Sequence, residues 1–342
     1  MSLSRSFRLC LPISALLLLG AGCFGGGAPA GAQLDGGVYR TRNLGTDWKQ
    51  LRVLNLGTKL ASIADVGVTS LALDAQDANA FYAGTVENGL LSSLDAGESW
   101  TLSKGLSVGR VNAVVVDTKN KCVVFAAKAN QIHKTSNCSR DWSQVYFDGR
   151  ADVSFTALAM DWFNPQIVYA GSSDGDVYRS EDGGSTWQRS YRIDRTRISG
   201  IVVDPRDSRL VFAATDGEGI AKTVDGGVTW EKLVKPFENF ESARRVKQIV
   251  LDPQRKDVVY TVSRYGILRS VDAGANWEPL ALPTPAGTVD IKALAVHPKN
   301  ANVLAYATDA SIVWSQDAGK TWSPKALPTK RGVSALLFDQ AQ

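Results

Sequence analysis

Residues Val168 to Trp187 read VYAGSSDGDVYRSEDGGSTW, and this stretch decides the fold. It begins with five β-favouring or small residues and crosses a tip containing Gly175. It returns through Asp176-Val177-Tyr178-Arg179-Ser180 and ends on a box, Ser/Thr-x-Asp-x-Gly-x-Thr-Trp. Short runs of this kind between turn formers predict antiparallel strands. The box recurs as TVDGGVTW from Thr223 to Trp230 and SQDAGKTW from Ser315 to Trp322. Looser copies are SLDAGESW (Ser93 to Trp100) and SVDAGANW (Ser270 to Trp277); degenerate ones are TRNLGTDW (Thr41 to Trp48) and TSNCSRDW (Thr135 to Trp142). The seven copies start 42 to 52 residues apart, a regularity that only a repeat architecture produces.

A second pattern keeps the same beat. Short apolar runs end in Asp74, Asp117, Asp161, Asp204, Asp252, His297 and Asp339. Each unit therefore holds four strands: A, ending at that Asp; B, such as FYAGT (Phe81 to Thr85); C, such as DVYRS; and D, beginning at the box Trp. About 43 residues for four strands is the size of a propeller blade. The expectation is an all-β, seven-bladed β-propeller of four-stranded antiparallel blades. The C-terminal strand would join the N-terminal blade and remove exposed sheet edges. The segment for strand B of that last blade is not evident: either residues near Ala28 to Leu34 supply it or the strand is missing.

The box residues have structural roles. Asp95, Asp182, Asp225, Asp272 and Asp317 are expected to accept backbone N–H groups within a tight turn. Gly two places later adopts a backbone angle that other residues resist. Trp100, Trp187, Trp230, Trp277 and Trp322 are expected to bury large rings between sheets. Repetition argues for architecture rather than one calcium or catalytic site. Trp162 and Trp314, outside the boxes, are expected in the core.

The third box has Ser139 in place of its Gly and gains Cys138. Cys122 opens strand B of the same blade, and Cys138 follows strand C. Antiparallel B and C bring those ends together, so a Cys122–Cys138 disulfide is expected.

Before the repeats, Arg5 and Arg8 precede an apolar run from Leu9 to Leu19, which has signal-peptide length. Leu19-Gly20-Ala21-Gly22-Cys23 resembles the lipobox of bacterial lipoproteins, with its Leu one place further back than usual. The resemblance implies lipidation of Cys23. The expected organisation is a leader at 1–22, a flexible tether at 23–36 and a propeller at 37–342. The protein would be exported and lipid-anchored on the periplasmic or extracellular side of a bacterial membrane.

Composition narrows the functions. The chain of 342 residues has two His and four Cys, which excludes Cys/His-rich zinc modules and most His-dependent catalysis. A formal charge of +4 is too small to indicate nucleic acid. A Ser-His-Asp triad is not expected, because His297 falls in an A–B turn and His133 in strand C. No metal and no cofactor are expected, and the chain is expected to be a monomer.

The repeat resembles those of Asp-box propellers: bacterial sialidases, sortilin-type propellers, xyloglucanases and photosystem II assembly-factor-like propellers. The lipobox with one propeller looks most like the last group. That resemblance implies a non-enzymatic protein-binding or assembly module at a membrane surface. The Gly-Trp-x-Val-Gly run often present in strand B of that group is absent; Tyr82-Ala83-Gly84 and Tyr169-Ala170-Gly171 stand there. A photosynthetic role is therefore not expected.

The site is expected opposite the box turns, where B–C tips and D-to-A linkers surround the channel mouth. Arg110, Arg197 and Arg245 occupy the same place before strand A in three units. With Arg192 and Arg195 they form an expected basic patch for an acidic protein segment or acidic glycan, because guanidinium forks suit carboxylates. The competing reading is a solvated rim in which Asp174, Asp176, Asp216 or Glu218 neutralises these cations. The alternative function is a glycan-active hydrolase. A sialidase-like site would cast Tyr265 or Tyr191 as nucleophile with Glu218 or Glu87, and other glycoside hydrolysis would use a carboxylate pair.

Overall fold

The computed structural model describes residues 17–21, 34–193 and 195–339; of 17–21 it gives the backbone pairing alone. Cys23, Asp194 and most of the expected tether lie outside the described residues.

The first strands in chain order are β1 (Leu17–Ala21), β2 (Gly37–Thr41) and β3 (Lys49–Leu51), followed by a small hairpin of β4 (Val53–Asn55) and β5 (Leu60–Ser62). Six blades follow, each an uninterrupted four-stranded meander. The first is β6 (Val68–Leu73), β7 (Phe81–Thr85), β8 (Leu90–Ser93) and β9 (Thr101–Leu102). The second is β10 (Val111–Val116), β11 (Val124–Lys128), β12 (Gln131–Thr135) and β13 (Ser143–Phe147). The third is β14 (Phe155–Met160), β15 (Val168–Ser172), β16 (Asp176–Ser180) and β17 (Gln188–Arg192). The fourth is β18 (Ile198–Asp204), β19 (Asp207–Thr215), β20 (Ile220–Thr223) and β21 (Glu231–Leu233). The fifth is β22 (Val246–Leu251), β23 (Val259–Ser263), β24 (Ile267–Ser270) and β25 (Glu278–Pro279). The sixth is β26 (Ala293–Val296), β27 (Leu304–Ala307), β28 (Ser311–Ser315) and β29 (Ser323–Ala326). The last strand is β30 (Val333–Phe338).

The expected seven-bladed β-propeller is therefore corrected: among the described residues there are six blades of consecutive strands, not seven. The remaining sector is a composite sheet of order β3-β2-β1-β30. The reason lies in what a box copy reports. Thr41 to Trp48 marks one C–D hairpin, and among the described residues that hairpin has no A and B strands of its own directly before it. Its neighbours come from Leu17–Ala21 and from the far end of the chain. β1 also falls within the segment expected to be a removable leader.

Inner strands of adjacent sectors touch around the whole ring, with β30 against β26 on one side and β6 on the other. Apolar clusters fill the space between sectors. One packs Phe212 and Leu233 of the fourth blade against Val246, Leu268 and Trp277 of the fifth. Burial of this kind stabilises by about 25 cal/mol per Å² of apolar surface removed from water. Trp314 lies in this core, but Trp162 does not: it is 38% exposed. Among the described residues, no helix is long and apolar enough to cross a membrane.

Candidate functional site

The box turns consume their own polar groups. Ser180 Oγ donates to Asp182 Oδ1 at 2.9 Å, and Gly184 N donates to Ser180 Oγ at 2.8 Å. Thr186 N then reaches Asp182 Oδ1 at 2.8 Å, and Thr186 Oγ1 reaches Oδ2 at 2.7 Å. Asp95, Asp225, Asp272 and Asp317 hold equivalent bonds. These bonds, led by the Thr hydroxyls, hold Asp182 and Asp317 down to about 2. A carboxylate saturated in this way is a turn fastener, not a general acid or base. Trp100 is fully buried and donates to Leu51 O at 2.9 Å, across a sheet boundary. Trp187 and Trp277 donate to Gly184 and Gly274 of their own turns, both at 3.0 Å. Trp230 stacks on Tyr191 at 5.6 Å, and Trp322 packs on Tyr306 at 4.9 Å. Cys122 and Cys138 are joined in a disulfide, and Cys138 N also donates to Cys122 O at 3.1 Å.

At the opposite end of the channel, Arg110, Arg197 and Arg245 each immediately precede an inner strand: β10, β18 and β22. All three are exposed. Arg110 Nε donates to Asn112 Oδ1 at 2.8 Å. Arg197 reaches water, yet the surrounding protein mass desolvates it. That burial, and next the neighbouring Arg110, disfavour its charged form, and Asp216 only partly opposes them. Asp216 sits between two of the cations. Its N–H donates to Arg197 O at 3.0 Å, and its carboxylate lies 3.7 Å from Arg245 Nη1.

Arg192 does not join this group. Its guanidinium clamps Asp176 Oδ1 at 2.8 Å and Asp174 Oδ2 at 3.0 Å. Arg150 binds the same pair, at 2.7 Å to Asp176 and 3.0 Å to Asp174, and also Asp148 at 2.7 Å. Tyr178 Oη donates to Asp148 Oδ2 at 2.9 Å. This satisfied network closes one B–C tip, so the rim reading holds for Arg192. Arg195 is an exposed turn residue at φ 55°. For the rival chemistry, Tyr265 packs on Phe240 at 5.2 Å and Tyr191 on Trp230. Glu218 is drawn below its usual range chiefly by Lys232.

Sequence reasoning missed a cavity of about 440 Å³ in the channel itself, lined by Leu71, Val115, Leu158, Val202, Leu251 and Leu337 of the inner strands. Trp162 stands at the end near the A–B turns. The signal was present: Ala113-Val114-Val115-Val116 shows no polar alternation, so both faces of that strand avoid water. Among the described residues, no group of three or more His, Cys, Asp or Glu could hold a metal ion.

A ring of small antiparallel sheets around a channel is a β-propeller. A family model for Sortilin-Vps10 (sortilin, neurotensin receptor 3) matches residues 175–265. A probable oligoxyloglucan-reducing end-specific xyloglucanase of Neosartorya fischeri is 31% identical over 183 residues, which is 50% of this chain and 22% of that protein. The chain thus spans less than a quarter of that relative's length. The solved complex of YCF48 with D1 peptide superposes with a TM-score of 0.60 at 19% identity, covering 77% of this chain and 82% of that one. The GH74 enzyme of Niastella koreensis superposes at 0.56 and 17% identity, covering 88% of this chain and 56% of that one. At these identities the structural likeness is one of fold.

Proposed function

We propose that the protein is a non-enzymatic binding or assembly module, exported and tethered to a membrane through Cys23. Its basic channel mouth, built from Arg110, Arg197 and Arg245, would receive an acidic segment of a partner protein. The observation that carries this reading is the crowding of Arg197. Desolvation and Arg110 both disfavour its charge, and Asp216 is shared with Arg245. An anionic ligand relieves both costs, because it supplies the missing opposite charge within a partly desolvated site. A propeller of similar fold has been solved with a bound peptide, which supports the type of role.

The second reading, a glycan-active hydrolase, is favoured by the xyloglucanase similarity. Three carboxylates on this face argue against it. Asp148 is held at about 2, chiefly by Arg150; Glu218 is lowered chiefly by Lys232. Burial opposes ionisation of Asp290, but Lys247 and Lys292 prevail. Glycoside hydrolysis needs one carboxyl kept protonated.

The test is capture of a ten-residue Asp/Glu peptide over a salt series. Replacing Arg110, Arg197 and Arg245 together by Gln is expected to weaken capture at least tenfold and flatten its salt dependence. Unchanged capture would defeat the reading. So would turnover of xyloglucan oligosaccharides or a fluorogenic glycoside that disappears when a carboxylate on this face is replaced.

A further inference from the structure

The expected leader and the composite sheet make incompatible demands on the same five residues. Leu17–Ala21 pair with β2 from Leu17↔Thr41 to Ala21↔Gly37, and with β30 from Leu17↔Phe338 to Ala21↔Val333. The same residues lie within the segment read as a leader ending at residue 22. A chain processed at Cys23 keeps β2 and β30 and loses the strand between them.

The vacated place is a strand-B position in every detail of register. In the first blade, Gly84 pairs with Ser70, Thr85 pairs with Val68, and the ladder bulges between those partners. In the composite sheet, Gly20 pairs with Ala335, Ala21 pairs with Val333, and the same irregularity recurs. Gly20 therefore stands where Gly84 and Gly171 stand. Those glycines are enforced by space: a Cβ on Gly84 would lie 2.7 Å from Val111 O, and one on Gly171 would lie 2.4 Å from Ile198 Cγ2. The preceding three residues in the first four blades are Phe-Tyr-Ala, Val-Phe-Ala, Val-Tyr-Ala and Val-Phe-Ala, all buried.

We propose that in the processed protein the slot between β2 and β30 accepts an extended segment of a partner protein. The segment pairs antiparallel to both strands, with apolar residues at its first three places and a small or β-branched residue at its fourth, where the first five blades hold Gly84, Ala127, Gly171, Ala214 and Val262. The proposal rests on the export reading; only the contacts made by residues beyond the strand rest on the basic-mouth reading. Two unpaired ladder edges facing each other strongly favour strand addition, because buried N–H and C=O groups need partners. The neighbours are apolar: Val38, Tyr39, Val333, Leu336 and Phe338 are all buried in the intact sheet. The chain's own residues 22–33 match poorly in composition. They include one large apolar side chain, Phe24, and they contain Pro29, which lacks the N–H that a central strand uses. A partner strand running as β1 runs leaves the slot at Val333. That is the end from which Arg110, Arg197 and Arg245 rise before the equivalent strands. Acidic residues after the strand would therefore meet the basic mouth.

The experiment uses processed full-length protein purified from membranes, its N-terminus fixed by mass spectrometry. Hydrogen exchange is followed at Tyr39, Arg40, Leu336 and Leu337, alone and with a synthetic peptide copying residues 167–174 (IVYAGSSD). Fast exchange without peptide and at least tenfold slowing with it is expected. The same peptide with proline for its alanine is expected to bind at least tenfold more weakly, because the ring removes an N–H from the middle of the ladder. Retention of Leu17–Ala21, full protection without peptide, or no response to peptide would each overturn the proposal. Repeating the titration on Arg197→Gln separates the two readings. Protection that persists assigns the binding to the slot; protection that vanishes assigns it to the mouth and overturns the slot.

Discussion

The hydroxyl of Tyr169 donates to the carbonyl oxygen of Gly226, 2.8 Å away in the next blade's box turn. The contact is one case of a rule. In the turns of the third, fourth and fifth blades a strand-B aromatic of the preceding blade sits beneath the glycine two places after the turn Asp, whereas Gly319 of the sixth meets Leu280. A Cβ on Gly184 would lie 2.5 Å from Phe125 Cε1, one on Gly227 3.2 Å from Tyr169 Cε1, and one on Gly274 3.3 Å from Phe212 Cε1. The glycine thus serves two ends: a left-handed backbone and room for an aromatic edge.

Gly184→Ala is expected to destabilise the protein by about 3 kcal/mol, since it combines left-handed strain at φ 87° with overpacking. Gly274→Ala has the same strain and a looser contact, and about 1 kcal/mol is expected. Gly149→Ala meets nothing within 4 Å at an ordinary backbone angle and is expected to be neutral to about 0.5 kcal/mol. Urea midpoints rank the three; equal effects at Gly184 and Gly149 would refute the packing rule.

The second blade's turn breaks the rule, with Ser139 holding φ 62° in the glycine's place and Cys138 at 58° before it. The disulfide closes a sequence separation of 16 across this strained turn. Cys122→Ser with Cys138→Ser is expected to cost about 3 kcal/mol by the loop-entropy account. Adding Ser139→Gly is expected to recover about 1 kcal/mol of it. Thermal melts under non-reducing conditions check both; no recovery would separate the bridge from the turn's strain.

Strand identities were legible because each run is short, apolar and bounded by turn residues, and the box could be read down to its atoms. Sector count was less legible: a box copy reports a C–D hairpin, and Thr41–Trp48 took its partners from two distant stretches. Counting back from strand A placed Arg110, Arg197 and Arg245 at equivalent positions, and each immediately precedes an inner strand. Arg192 escaped that logic. It lies on β17, and the pairing Asp176↔Arg192 brings it to two carboxylates whose proximity depends on sheet register.

The Asp148 network predicts an acid response with a definite sign. Its folded value is depressed to about 2, chiefly by Arg150, below the ordinary 3.8. Its contribution is therefore fully present above about pH 4 and is lost as pH falls through about 2. Asp148→Asn is expected to cost about 2 kcal/mol at pH 6 and almost nothing at pH 2. Urea midpoints of both proteins at pH 6, 4 and 2.5 test this. A gap that does not shrink on acidification would remove Asp148 from the account.

His133 predicts a second, higher window. Burial first, and Lys128 next, lower it from 6.5 to about 4 in strand β12. Between those values the unfolded chain takes up a proton that the folded chain refuses. Stability therefore falls as pH drops from about 6.5 to about 4. Because the ring is half-buried, roughly 2 kcal/mol is expected across the window rather than the full value of the shift. His133→Gln removes the titrating group, so its stability relative to wild type is expected to rise by that amount between pH 7.5 and 4.5. A constant difference at the two pH values would show that His133 charges as readily folded as unfolded.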